Sequence, residues 1–257
     1  MVRVDLNCDM GESFGAWSIG NDRAVLPNVT SINIACGFHA GDPSVMRATV
    51  HAAAAHGVAI GAHPGLPDLI GFGRREMAVS PQDVYDMVAY QIGALQAIAC
   101  TAGASVAHVK PHGALYNMAA VRRELADAIA RAVHDVDARL VLVGLSGSVL
   151  IDAGTAIGLR TAREVFADRN YRADGTLVPR AAPDAVITDV ELATARALRM
   201  VLQRTVTTID GAELPVTADT ICIHGDAAGA PQFAQRIRSA LHTAGVAALA
   251  PGDAPHA

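Results

Sequence analysis

At 257 residues, with 51% hydrophobic but only 4% aromatic side chains and a net charge of −5, the chain can bury a large core of Ala, Val, Leu and Ile in one domain or two. It has no basic run or basic–aromatic patch of the kind that nucleic acid needs. No apolar run approaches the length of a membrane span, and Arg3 and Asp5 stand where a secretory signal would be apolar, so a soluble, cytoplasmic protein is expected.

Val2 to Cys8 alternates Val4 and Leu6 with Asp5 and Asn7, a strand period, and runs into the turn Asp9-Met-Gly-Glu12-Ser-Phe-Gly15. Thr30 to Cys36 is a second strand and leads into Gly37-Phe-His39-Ala-Gly41-Asp42. A helix starts there with Asp42 as N-cap and Pro43 at the first helical position, and stops at Gly57. Val58 to Ala62 is a third strand, ending in His63-Pro-Gly65, and the glycine-rich loop Leu66 to Val79 carries Arg74, Arg75 and Glu76. Ser80-Pro81 opens a long helix whose stripe of Val84, Val88, Ile92 and Leu95 has helical spacing; Gly103 closes it.

The stretch Val106 to Asn117 supplies strand four and its turn, and a helix runs on through about Val133. Leu140 to Val143 is strand five. Ser146, in the turn that follows, reads as a cap rather than a nucleophile, before a helix around Val149 to Ile157. Leu159 to Val165 is strand six, ending in Glu164-Val-Phe-Ala-Asp168-Arg169. Asn170 to Asp184 is a long loop rich in Arg, Gly and Pro, and Arg169, Arg172 and Arg180 read equally well as solvated loop charges. Thr188 and Glu191 have capping-box spacing and start a helix to about Gln203. Asp210-Gly211 marks a hairpin within Val206 to Val216. Thr220 to Ile223 is a strand ending in His224-Gly-Asp226; a helix near Phe233 to His242 and a short strand after Gly245 finish the chain.

No linker divides this series, so residues 1–250 read as one domain and 251–257 as a flexible tail. The recurring unit of strand, polar turn and helix argues for an α/β fold with a parallel sheet, most simply a TIM-like (β/α) barrel, with an open doubly wound sheet as the alternative. In either, the carboxyl ends of the strands share one face. That face would collect Asp9, Glu12, His39, Asp42, His63, Lys110, His112, Glu164, Asp168, Arg169, His224 and Asp226.

Lys110 is the only lysine, so 19 of the 20 basic residues are arginine. Strand alternation puts His108 and Lys110 opposite Ala107 and Val109, and Asn7 and Asp9 opposite Leu6. The apolar set should face the helices and the polar set the bore. A buried ammonium needs a carboxylate partner, and Asp5, Asp9 and Glu164 are the candidates. His108 suits a core role as well as a site role.

There is no phosphate-binding loop, no dinucleotide fingerprint, no nucleophile elbow and no H-E-x-x-H. The four cysteines, Cys8, Cys36, Cys100 and Cys222, are widely spaced and read as free buried thiols. His108 and His112 are a poor zinc pair because a strand and a proline carry them, while Asp9, His39 and His63 offer metal ligands without a diagnostic spacing. The remaining inventory suits general acid–base hydrolysis with anion stabilisation.

Seven segments in register carry a resemblance. They are Asp5–Gly15, Asn33–Asp42, Gly61–Gly65, Gly71–Arg74, Val109–Asn117, Glu164–Tyr171 and Ile223–Asp226, and together they resemble the LamB/YcsF family over nearly the whole chain. The resemblance implies a distorted (β/α) barrel like the glycoside hydrolase/deacetylase fold. It also implies ATP-dependent opening of 5-oxo-L-proline to L-glutamate with two partner chains, 5-oxoprolinase subunits B and C. ATP would be consumed at those partners, since this chain has no nucleotide motif. On that expectation Asp9 or Glu12 is the general base, His112 or His39 the general acid, and Lys110 the anion-stabilising cation. Arg74 or Arg169 would hold a substrate carboxylate or phosphate, and Asn7, Asp42, His63, Glu164, Asp168, His224 and Asp226 would complete the substrate-binding set. A metal is left undetermined, as is self-association. The rivals are a stand-alone metal-dependent amidase or deacetylase and a non-catalytic binding component.

Overall fold

Residues 2–223 and 229–252 are described by a computed structural model. The elements in chain order are β1 (Arg3–Met10), α1 (Asp22–Val25), β2 (Ser31–Ala35), α2 (Pro43–His56), β3 (Ala59–His63), α3 (Pro81–Thr101), β4 (Val106–Val109), α4 (Gly113–Val121), α5 (Arg123–Asp137), β5 (Val141–Leu145), α6 (Val149–Ala156), β6 (Arg160–Phe166), α7 (Val190–Leu202), β7 (Thr205–Thr207), β8 (Glu213–Pro215), β9 (Thr220–Ile223), α8 (Ala230–Thr243) and β10 (Ala247–Ala248). Among the described residues, seven parallel strands run in the order β1-β2-β3-β4-β5-β6-β9, and β9 pairs back onto β1 through Leu6↔Ile221 to close the barrel. β10 adds to the start of β1, and β7–β8 form a separate antiparallel hairpin. The closed barrel decides against an open sheet. No helix among the described residues is long and apolar enough to cross a membrane.

Several local expectations hold for the anticipated reasons. The Asp42 carboxylate caps α2 through Ser44 N and Val45 N, and Gly57 ends that helix at φ 65°. Ser80 and Asp83 form a reciprocal capping box on α3. The Val84, Val88, Ile92 and Leu95 stripe is fully buried.

Other expectations are corrected. The helix after strand four is two helices, because the backbone turns extended at Arg122 (φ −103°, ψ 104°). The turn leaves α4 buried over most of its length, whereas α5 keeps an exposed face. No Gly or Pro marks the break. The N-cap of α7 is Asp189, which accepts from Glu191 N and Leu192 N, so Thr188 is one residue too early for the box. Ser148, not Ser146, occupies the N-cap position of α6; the Ser146 hydroxyl instead accepts from Thr217 N at 3.0 Å. Cys100 is exposed, while the other three thiols are buried.

The bore is polar. Asp5, Asn7 and Asp9 of β1, Asn33 of β2, His108 of β4, Glu164 of β6 and Thr220 of β9 are all buried and joined by hydrogen bonds. Asp5 is at the floor, accepting from Thr30, Ser31 and Thr220 hydroxyls at 2.6, 2.8 and 2.5 Å. It is therefore not the partner of Lys110. Burial pushes the Asp5 carboxyl up to about 6, against those three hydrogen bonds.

An unfolded Asp titrates near ~3.9. Between about pH 4 and 6 the folded chain thus keeps a proton that the unfolded chain has lost, and stability falls as pH rises through that window. Asp5→Asn removes this component. The unfolding free energy of the variant, measured in urea against wild type, should gain roughly 2–3 kcal/mol between pH 4 and 7. A difference that stays constant over that range would show that Asp5 has no such proton linkage.

Candidate active site

The site sits where β1, β2, β3, β4 and β6 end. Lys110 Nζ lies 2.8 Å from Glu164 Oε1 and 3.0 Å from Asp9 Oδ1, so two of the three expected carboxylates are its partners. The ammonium also lies 3.1 Å from the Cys222 thiol and 3.4 Å from Asn7 Oδ1. Burial works against the Lys110 charge, but the carboxylates, Asp9 foremost, more than compensate and hold its pKa well above the usual lysine value. Burial pushes the Cys8 and Cys222 thiols up, and Cys36 to about 12, so none is a ready thiolate nucleophile.

The bore fixes the orientation of these groups. Asn33 Nδ2 donates to Asp9 Oδ1 and Asn7 Oδ1, both at 2.8 Å. Its Oδ1 therefore faces His108 Nε2 at 2.8 Å, which makes that nitrogen the protonated one. Burial, with Lys110 nearby, pushes His108 down to about 3, so it is a neutral core histidine. Gly61 lies against its ring; a Cβ there would overlap the imidazole.

Above this layer three histidines meet. His63 Nε2 is 3.3 Å from Asp9 Oδ2 and 3.0 Å from His112 Nδ1, and His112 Nδ1 is 3.8 Å from Glu12 Oε1. His39 stacks on His112 with ring centroids 3.7 Å apart. Burial, together with the neighbouring imidazoles, lowers His39 and His112 well below the ordinary histidine value.

The loop between β3 and α3 braces this cluster. Phe72 holds the uncommon φ of 56°, and its carbonyl lies 2.8 Å from His112 Nε2. Gly73 and Gly113, also at positive φ, let the two chain segments touch; a Cβ on Gly113 would come within 2.6 Å of the Gly73 carbonyl oxygen. Gln91 of α3 pairs with both Gly65 N and Gly65 O at 2.9 Å, fixing the turn after His63.

A cavity of about 490 Å³ opens onto the cluster. Of the expected residues, Asp9, Glu12, His63, Arg74, Lys110, His112 and Arg169 line it. His39 does not: it is fully buried behind His112. Asn7 and Glu164 also lie outside the lining, bonded within the bore as supports of Lys110. Asp42 is away from it as well, because its carboxylate caps α2 and accepts from Gly15 N. Asp168 is buried and outside the lining. Asn7, Asp42, Glu164 and Asp168 thus lie outside the cavity lining, and His39 lies behind it. His224 and Asp226 lie outside the described residues.

Arg172, Thr176, Arg180, Tyr116 and Asn117 also line the cavity. A sequence signal exists for the arginines: Arg169, Arg172 and Arg180 fall close together after the strand that carries Glu164. All three line the cavity, although Arg172 stays exposed to solvent and Arg180 is half-buried. Arg169 is buried, its Nη2 donating to Val178 O at 2.6 Å, so it also braces the loop. Burial, and next the Arg180 charge, lowers its pKa.

Comparison with known proteins agrees with this architecture. The chain is 63% identical over 244 residues to the A component of 5-oxoprolinase from Bordetella pertussis, covering 95% of this chain and 97% of that one. It superposes on the crystal structure of the lactam utilization protein from Thermus thermophilus with a TM-score of 0.91 at 52% identity, covering 97% of this chain and all of that one. The catalytic domain of a peptidoglycan N-acetylglucosamine deacetylase from Eubacterium rectale shares the fold alone, with a TM-score of 0.53 at 11% identity and coverage of 99% and 91%. The LamB/YcsF family profile matches residues 4–254. The barrel, its polar strand ends and these matches together place the chain in the LamB/YcsF family.

Proposed function

We propose that this chain is the A component of a 5-oxoprolinase and carries out the ring-opening half of ATP-dependent hydrolysis of 5-oxo-L-proline to L-glutamate. One observation carries the reading: a single cavity joins carboxylates and imidazoles (Asp9, Glu12, His63, His112) to a bank of arginines (Arg74, Arg169, Arg172, Arg180). The names of the Bordetella and Thermus relatives point the same way. A lactam is a poor electrophile, and transfer of a phosphoryl group from ATP to its oxygen makes the ring carbon attackable. That transfer is assigned to subunits B and C, because this chain has no nucleotide motif. The phosphorylated lactam carries two anionic groups, the ring carboxylate and the phosphate, and four arginines suit both.

In this scheme Asp9 or Glu12 takes a proton from water as it adds to the ring carbon. The C–N bond then breaks and the nitrogen gains a proton through water, since the N–H of His112, the imidazole that lines the cavity, is committed to the Phe72 carbonyl. Lys110 offsets negative charge developing at the carbon's oxygens. The acyl phosphate that remains takes up a second water, giving glutamate and phosphate. The test mixes the purified chain with the partner subunits, ATP and 5-oxoproline. Glutamate release should need all the chains; no release with ATP and both partners present would overturn the reading.

A further inference from the structure

The tautomers of His63 and His112 are dictated by their surroundings. His63 Nδ1 is 2.7 Å from the Lys110 carbonyl, and His112 Nε2 is 2.8 Å from the Phe72 carbonyl. A carbonyl can only accept, so both nitrogens carry hydrogen. In the neutral rings the other two nitrogens are then bare. These are His63 Nε2 and His112 Nδ1, and they face one another at 3.0 Å. The nearby Asp9 Oδ2 and Glu12 Oε1 are acceptors too. Four lone-pair atoms converge, and nothing among these four donates to the others.

His39 adds a second, independent observation. It is 0% exposed, and neither of its ring nitrogens has a hydrogen-bond partner among the described residues. One ligand atom from each of Glu12, His39, His63 and His112 lies within 4.8 Å of the others. Imidazoles that hold metals typically donate their second ring N–H to a backbone carbonyl or carboxylate, which is what His63 and His112 do. Two nitrogens, each about 2.0–2.1 Å from one zinc-sized ion, sit roughly 3.0–3.4 Å apart, and the facing pair already has that separation.

We propose that His63 and His112, with the Glu12 carboxylate and the neighbouring His39, form a binding site for one divalent transition-metal ion of the zinc class. The mixed imidazole and carboxylate donor set suits such an ion better than magnesium or calcium, which prefer all-oxygen sites. An ion there supplies Lewis-acid polarisation and acidifies water. Phe72 and Lys110 orient the ligands through their carbonyls. The site stands independently of the ring-opening reading, since the tautomers are set without any substrate.

The test needs no turnover. The full chain, stripped with chelator, is titrated with Zn²⁺ by calorimetry and with Co²⁺ by visible absorption. One ion per chain is expected, with cobalt bands of a nitrogen- and oxygen-ligated site and a rise in melting temperature on adding Zn²⁺. His112→Gln and Glu12→Gln should each weaken Zn²⁺ binding by roughly 10–100-fold or more, with an unchanged circular dichroism spectrum. If His112→Gln does not fold, Glu12→Gln decides alone. Absence of stoichiometric binding, or equal affinity in the folded variants, would overturn the site. So would a ¹⁵N NMR spectrum of the untreated chain in which a proton shared by His63 and His112 persists at saturating Zn²⁺.

Discussion

Lys110→Met should be the most damaging single substitution in the bore. It removes the ammonium 2.8 Å from Glu164 and 3.0 Å from Asp9 and leaves two buried carboxylates facing each other. Breaking a buried pair in this way costs about 3–5 kcal/mol. The loss should depend on pH. Without the ammonium, one of the two carboxylates in the variant binds a proton more tightly folded than unfolded. A group of that kind favours the folded state at low pH and loses that effect as pH rises. The gap between variant and wild type should therefore narrow from pH 8 to pH 5.5 in urea unfolding. Glutamate release at pH 8 should fall at least ~100-fold. A variant as stable as wild type at pH 8, or one with full turnover, would remove the ion triad from the account.

Asp9→Asn is expected to have the second-largest effect, on turnover rather than on folding. Asp9 reaches both layers of the site: Lys110 and Asn33 through Oδ1 and His63 through Oδ2. Glu164 still partners Lys110 in the variant, so the chain should fold. Loss of a general base typically costs ~10²–10⁴ in rate, and kcat for glutamate release should drop by about that factor with KM little changed. Glu12→Gln, measured alongside, separates the two candidates. A fall of less than ~10-fold for Asp9→Asn would remove Asp9 as the base, and a larger one for Glu12→Gln measured at saturating Zn²⁺ would move the base to Glu12.

The barrel was legible because its signals are local and periodic. Alternation along Val4–Asp9 and Ala107–Lys110, the Asp42-Pro43 and Ser80-Pro81 helix starts, and the Asp210-Gly211 turn each depend on near neighbours. Strand ends in a parallel barrel must share a face, so the convergence of Asp9, Glu12, His63, Lys110 and His112 followed from topology. What could not be read were relations among distant residues. Asp5 and Glu164 look alike as partners for Lys110. The register sets both beside Thr220, and only the side-chain contacts show that Asp5 is held by Thr30, Ser31 and Thr220 at the floor while the longer Glu164 reaches the lysine. The break at Arg122 has no Gly or Pro to announce it; the backbone simply turns extended there. Gln91 sits between turns of an apolar stripe and betrays nothing of its bonds to Gly65. The arginines of the 170–184 loop look like solvent charges because nothing local says that the loop folds back over the mouth.

The hydrogen bonds of the bore have a polarity. Thr220 donates downward to Asp5 and accepts from Asn7, Asn33 donates to Asn7 and Asp9, and His108 donates to Asn33. No amide in this series can flip without forcing its neighbours to flip with it. The barrel interior thus behaves as a pre-poled dielectric: its dipoles are set when the protein folds and have little freedom to reorient when a substrate arrives. In water most of the cost of developing charge is the turning of solvent dipoles, and here that turning has been done at the stage of folding. The consequence reaches from the floor to the mouth. A residue as remote from the chemistry as Thr220 helps determine the field that Lys110 and Asp9 present at the top.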